Sequence, residues 1–193
     1  MNLLHVDSSI LGEHSASRTL SAGIVAARKA ADPGLRVTYR DLAATPLPHL
    51  SGGSLAKADV AEAAAAEEVM REFLEADVVV VGAPMYNFAI PSTLKAWIDR
   101  LAVAGQTFHY NEQGMAEGLA GGKQLIVASS RGGFHQTDGA DFQEPYLRYM
   151  FGFMGITDVG FVRAEGLAVS PEQRTRAMAE AHASIDGGLA LAA

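Results

Sequence analysis

Three clusters of residues in this chain have the types and spacing needed to hold a nucleotide. The first is Asp7-Ser8-Ser9 followed by Ser15-Ala16-Ser17, between the first apolar run and the first helical segment. Amides in the first turn of a helix lack intrahelical acceptors, and the helix dipole favours an anion there. Ser hydroxyls can donate to a phosphate from the side, where glycine-rich loops use backbone alone. The second cluster is Pro84-Met85-Tyr86-Asn87-Phe88. Met85 and Phe88 can line a flat ring, while Asn87 and exposed backbone groups can bond its polar edge. The third is Ser129-Ser130-Arg131-Gly132-Gly133-Phe134, whose glycine pair lets amides approach a ligand with no Cβ in the way. Reduction of a flavin puts negative charge near N1 and the C2 carbonyl, and amides aimed there stabilise it. The expectation is a flavin mononucleotide, with its phosphate on the first cluster and its ring between the other two.

Taken singly, each cluster has an ordinary explanation: a helix cap, a turn with core residues, a tight turn. Their coincidence depends on the elements that place them. Short apolar runs alternate with segments of helical period, the pattern of βαβ units. Strands are expected at residues 3–6, 36–40, 78–83, 125–128 and 159–164. The run at 78–83 is continuously apolar, as in a strand covered on both faces. Helices are expected at 17–31, 59–75, 92–104 and 146–153, with a last one capped by Ser170-Pro171-Glu172. Residues 45–57 read as a long loop and 106–118 as a hairpin excursion. This predicts one α/β domain over residues 1–193: a doubly wound five-stranded parallel sheet of order 2-1-3-4-5 in three α/β/α layers. Its ligand crevice lies beyond the carboxyl ends of strands 1 and 3, where the three clusters meet.

Composition narrows the partners. Among 193 residues, 49% are hydrophobic and 19% charged, which suits a packed globular chain. Fifteen basic against 22 acidic residues give a formal charge of −7, which argues against nucleic acid or an anionic membrane as partner. With no cysteine, disulfides, thiolate zinc sites and Cys nucleophiles are excluded. The N-terminal residues lack a basic region followed by an apolar stretch. No run approaches the ~18–20 apolar residues of a membrane helix, so a cytoplasmic protein is expected.

Other signals do not lead to chemistry. The stretch 118–123 resembles a Walker loop, but Glu117 stands at its first glycine, Gln124 replaces the Ser/Thr, and a strand follows. The six histidines show no metal-type spacing, so no metal site is expected. His5 reads as a strand residue and His182 as a solvated helix position; His135, just past the glycine pair, reads first as a loop residue and only second as one within reach of a substrate. Trp97 reads as a helix residue that packs against the body.

The clusters resemble those of the FMN-dependent NADH-azoreductase family of quinone reductases, which have the flavodoxin-like fold. The matching stretches are Ser8-Ser9-Ile10-Leu11 with Ser15-Ala16-Ser17, then Ala83-Pro84-Met85-Tyr86-Asn87-Phe88 and Ser130-Arg131-Gly132-Gly133. A further match is Gly152-Phe153-Met154-Gly155-Ile156-Thr157-Asp158-Val159. The likeness covers nearly the whole chain in the same order. It implies FMN contacts at Ser9, Ser15, Ala16, Ser17, Met85, Tyr86, Asn87, Phe88, Ser130, Arg131, Gly132 and Gly133. It also implies a homodimer with FMN at the interface, covered by aromatic residues of the partner; Tyr110 and Phe151 are the candidates here. The implied reaction has two steps through one site. NADH, with NADPH left open, passes a hydride to the flavin and leaves. A quinone then becomes a hydroquinone, or an aromatic azo compound is cleaved to amines over two cycles. No side chain is assigned as acid or base, since the flavin carries the chemistry. The segments 50–57 and 136–141 differ most from the family pattern and bear on substrate preference. A flavodoxin-type electron carrier and a redox-inert binding module are the rival readings. The excursion at 106–118 favours an enzyme that builds its own pocket.

Overall fold

The structure, a computed structural model, describes residues 1–135 and 139–187. Residues 136–138 of the segment 136–141, and 188–193 at the end of the chain, lie outside the described residues. Five parallel strands form the central sheet: β1 (Asn2–Asp7), β2 (Arg36–Asp41), β3 (Val78–Pro84), β6 (Gln124–Ser130) and β7 (Asp158–Ala164). Their order is β2-β1-β3-β6-β7, the 2-1-3-4-5 arrangement once the hairpin β4 (Phe108–Tyr110) and β5 (Ala116–Gly118) is set aside. β3 is buried at every residue because both of its neighbours are strands and both of its faces carry helices. In register, Val81 stands between Val6 and Val127.

Alternation along the strands divides the interior into two layers. Leu4, Val6, Val79, Val81, Leu125 and Val127 face α3 (Val60–Glu75), α4 (Ser92–Leu101) and α5 (Glu144–Phe153). Leu3, Val78, Val80, Ile126 and Val162 face α1 (Ala16–Ala31) and α6 (Pro171–Asp186). The helices begin where capping residues demand it. Ser15, Asp59 and Ser170 each accept an amide hydrogen bond from the residue three positions on.

The expected elements are all present, with instructive differences. Within the expected loop 45–57, Ser51 and Ser54 cap each other reciprocally and start one short turn, α2 (Gly52–Leu55). α4 stops at Leu101, three residues early, because Thr107 Oγ1 donates to Leu101 O (2.5 Å) and draws off its last turn. The hairpin is sealed to the end of α5 by glycine against glycine. A Cβ on Gly118 would lie 2.1 Å from Gly155 N. Ala120 N donates to Met154 O (2.9 Å), and Phe108 packs on Phe153 at 4.6 Å between ring centroids.

Two side chains are placed otherwise than expected. Phe151 is fully buried, tilted against Phe73 and Trp97 at 6.3 Å from each. It is a core residue that α5 turns inward, so it presents no ring to a partner's flavin. His182 is half-buried, its ring against Gly23 of α1. Trp97 packs inside as expected.

Candidate active site

The three clusters occupy consecutive loops at the carboxyl ends of β1, β3 and β6, and hydrogen bonds tie them together. The loop after β1 is anchored from below: Ser8 Oγ donates to Gly82 O at 2.7 Å. Ser15 caps α1 by accepting from Arg18 N at 3.2 Å, and its hydroxyl meets that of Ser17 at 3.1 Å. The amides of Ala16 and Ser17, in the first turn of α1, have no hydrogen-bond acceptor among the described residues. Ser9, Ser15 and Ser17 are buried, so an anion on this loop meets donors already held in place.

The loop after β3 joins this one through Tyr86. Its hydroxyl lies 3.2 Å from Ser9 Oγ and accepts from Ile10 N at 3.2 Å. Asn87 and Phe88 form a two-residue reversal closed by Tyr86 N to Ala89 O (2.9 Å) and Ala89 N to Tyr86 O (3.1 Å). Both central residues are left-handed, with φ of 50° and 69°. Asn suits the first place of such a turn, whereas the second favours glycine, so Phe88 costs about 1 kcal/mol of backbone strain or more. Neighbours hold it: Phe142 N donates to Phe88 O at 3.1 Å, and the Phe88 ring stands edge-on to His135 at 5.5 Å. Held by these contacts against the strain, the reversal presents a half-exposed aromatic ring and the Asn87 side chain at the edge where the loops meet.

The loop after β6 is fixed by charge. Arg131 has a fully buried side chain paired with Asp141 (2.8 Å), Glu144 (2.8 Å) and Glu165 (3.1 Å). Arg163 adds a second cation on Glu144 at 2.7 Å. The Arg131 amide donates to Ala164 O (2.9 Å) and its carbonyl accepts from Leu167 N (3.1 Å). The Arg131 Nη1 and Nη2 donors thus turn inward and support the loop, so its fully buried side chain is not placed among the ligand contacts as expected; its Nε is buried without a hydrogen-bond partner among the described residues. The carbonyls of Gly132 and Gly133 accept from Ala168 N and Gly166 N, whereas their amides have no acceptor among the described residues. Met85 N donates to Ser130 O (2.8 Å), which links this loop to the previous one.

Ser9, Ser15–17, 85–88 and 130–133 are therefore brought to one edge. Tyr110 stands apart from them on the hairpin, 63% exposed and supported edge-on by Phe108 at 5.6 Å. Ile10, Leu11, Phe88, Phe134 and Phe142 leave an exposed apolar rim. Two supports were missed in the sequence. Fully buried Gln143 donates to Ala83 O (2.9 Å) and accepts from Ser129 Oγ (3.1 Å), bracing β3 to β6 just below the crevice. Arg18 clamps the first loop: its guanidinium donates to Ser9 O at 2.8 Å and to both Asp41 oxygens at 2.7 Å. Asp41 is held below its usual carboxylate range, first by that hydrogen bond and then by the Ala44 and Ala43 amides against the opposing effect of burial. No periodicity marks either residue. Both act across tertiary contacts, through long side chains or distant partners.

This arrangement defines a nucleotide-binding α/β protein whose crevice lies at the reversal of strand order. The description of the family model that matches residues 1–188 is a flavodoxin-like fold. An FMN-dependent NADH:quinone oxidoreductase of Xanthomonas oryzae pv. oryzae is 62% identical over 185 residues, covering 96% of this chain and 95% of the relative. One from Stenotrophomonas maltophilia is 60% identical over 185 residues, covering 96% and 94%. Among solved structures, an azoreductase from Bacillus anthracis str. Sterne matches with TM-score 0.87 and 28% identity, covering 98% of this chain and 99% of that one. An FMN-dependent NADH-azoreductase from Bacillus anthracis in complex with FMN has TM-score 0.86 and 25% identity, covering 98% of each chain. The chain belongs to the flavodoxin-like family of FMN-dependent NADH:quinone oxidoreductases and azoreductases, and is an oxidoreductase.

Proposed function

We propose that this protein uses FMN to transfer two electrons from NADH to quinones, and that it also cleaves aromatic azo compounds to amines. The observation that supports this reading most directly is the meeting of two sets of backbone amides, without acceptors among the described residues, at one edge. The Ala16 and Ser17 amides with the surrounding hydroxyls suit a phosphate, and the Gly132 and Gly133 amides suit the polar end of a flat ring. The amides of both sets lack acceptors among the described residues, as a cradle for an acceptor-rich ligand should. Bound there, FMN would supply hydride chemistry in two half-reactions, first with NADH and then with the electron acceptor. The protein binds, orients and excludes water. Ser9, Ser15, Ala16 and Ser17 hold the phosphate; Asn87 and the glycine amides fix the ring edge; Met85, Tyr86 and Phe88 wall it in. A stacked donor at near-attack distance gains several kcal/mol from positioning alone. With no side chain placed as an acid, solvent supplies the second proton.

A homodimer completes the site in this reading: the exposed apolar rim and the projecting Tyr110 suit cover from a second copy. The length 1–193 works as one domain, in the cytoplasm, with quinones and azo compounds as small-molecule partners and NADPH as the untested alternative donor. The test is spectroscopic. Protein reconstituted with FMN should show flavin absorbance that NADH bleaches without oxygen and a quinone restores. Protein that stays colourless after exposure to FMN, or whose flavin ignores NADH, overturns the proposal.

A further inference from the structure

We propose that Arg18 is a positioning residue which makes the crevice select a flavin bearing a phosphate over the same flavin without one. The proposal rests on the FMN reading above. Arg18 lies in the first turn of α1, where a positive charge opposes the helix dipole, so helix stability gives no reason for it. Its guanidinium turns back onto the loop. Nη2 and Nε reach Ser9 O at 2.8 and 3.3 Å, while Nη1 and Nη2 fork onto Asp41 at 2.7 Å. Nη1 also donates to the Tyr39 hydroxyl at 3.0 Å. Asp41 is itself fixed, accepting from Ala43 N (2.9 Å) and Ala44 N (3.1 Å) at the end of β2. Ser9 is thus gripped on both sides, its carbonyl by Arg18 and its hydroxyl by Tyr86.

Charge makes the grip consequential. Two carboxylates face this guanidinium: Asp41, and the buried Asp7, whose Oδ2 is 3.9 Å from Nη1. Asp7 also meets His5 Nε2 at 3.5 Å and accepts from Tyr39 OH at 3.1 Å. On the far side of the loop, Arg174 from α6 donates to His14 O at 3.4 Å. Without Arg18, Asp7 and Asp41 would confront a dianionic phosphate through a loop whose Ser9 carbonyl had lost its anchor. An uncharged ribityl chain has no such conflict, and the ring contacts at 85–88 and 132–133 do not involve Arg18.

Titration of the flavin-free protein with FMN and with riboflavin separates the two effects. Arg18→Gln should raise the FMN dissociation constant by about tenfold to a hundredfold, while riboflavin stays within about twofold. Arg18→Lys keeps the charge without the planar fork and should fall between the wild type and the Gln variant. It also carries the riboflavin comparison if the Gln variant fails to fold. Unchanged FMN affinity in Arg18→Gln, or riboflavin affinity falling in parallel with FMN, overturns the proposal. A Lys variant equal to wild type assigns the effect to charge alone and overturns the clamp. Failure of the unaltered protein to bind FMN is a different result, and it sinks the FMN reading itself.

Discussion

Gly82→Ala tests the foundation of the phosphate loop. Gly82 stands in register between Asp7 of β1 and Ala128 of β6, so ladders on both sides pin its backbone. An added Cβ would lie 2.2 Å from Asp7 Oδ1 and 3.2 Å from Ser21 Oγ. The short Asp7 side chain is buried and cannot swing to solvent, so its carboxylate must leave its partners. Its hydrogen-bond donors are Ser21 Oγ at 2.8 Å and Tyr39 OH at 3.1 Å, with His5 Nε2 and Arg18 Nη1 further off at 3.5 and 3.9 Å. Overpacking costs about 1–3 kcal/mol, and disrupting hydrogen bonds to a buried charged group about 1.5–3 more. A total near 4 kcal/mol corresponds to a Tm lower by roughly 10–15 °C in a chain of this length. The assay is urea unfolding of four proteins: wild type, Gly82→Ala, Asp7→Ala and the double variant. The methyl group added at position 82 fits the space that the Asp7 carboxylate leaves, so the double variant should be more stable than the sum of the single losses by about 2 kcal/mol or more. Strict additivity would refute the clash as the cause.

Three further outcomes are expected. Ser15→Ala with Ser17→Ala should weaken FMN binding by about a hundredfold, from some 3 kcal/mol of lost bonds to a charged group; an unchanged dissociation constant would remove the phosphate from this loop. Gly118→Ala drives a Cβ into the Gly155 backbone, which no rotamer relieves. It should cost about 2–3 kcal/mol and lower quinone turnover at 25 °C, and an unchanged melting curve would show that the hairpin root is looser than drawn. Tyr146, its buried hydroxyl without a protein partner among the described residues, is pushed up to about 12, chiefly by burial and then by Asp99. Because the unfolded phenol ionises near ~10 while the folded one keeps its proton, stability holds below that pH and falls towards ~12. Tyr146→Phe should reduce this alkaline loss, leaving the share of Tyr39, which burial and Asp7 likewise push up to about 12. An identical alkaline slope in the Phe variant counts against it.

Sequence pattern revealed what has a period or a punctuation mark. The unbroken apolar run of β3 announced a strand covered on both faces, and Ser170-Pro171-Glu172 announced the start of α6. The three clusters were visible because their chemistry sits in consecutive residues. What stayed hidden acts at a distance. Arg18 and Asp41 are 23 positions apart, and nothing local in either segment indicates that they meet. Arg131 looked like a ligand contact beside two glycines, but its carboxylate partners come from two distant places, Asp141 with Glu144 at the start of α5 and Glu165 after β7. Phe151 failed for a similar reason. An aromatic on an amphipathic helix can face either way, and only the packing of Phe73 and Trp97 decides which.

The glycine-to-glycine seam at the root of the hairpin also says where this scaffold can change over evolutionary time. Gly118 cannot gain a side chain, because its main chain abuts the Met154 and Gly155 main chain at the end of α5. The tip between β4 and β5, closed by Gly114 N to Asn111 O and carrying exposed Met115, touches no such seam. Insertions at this tip are therefore compatible with an unchanged interior, which separates the part of the hairpin free to vary from the part that folding constrains.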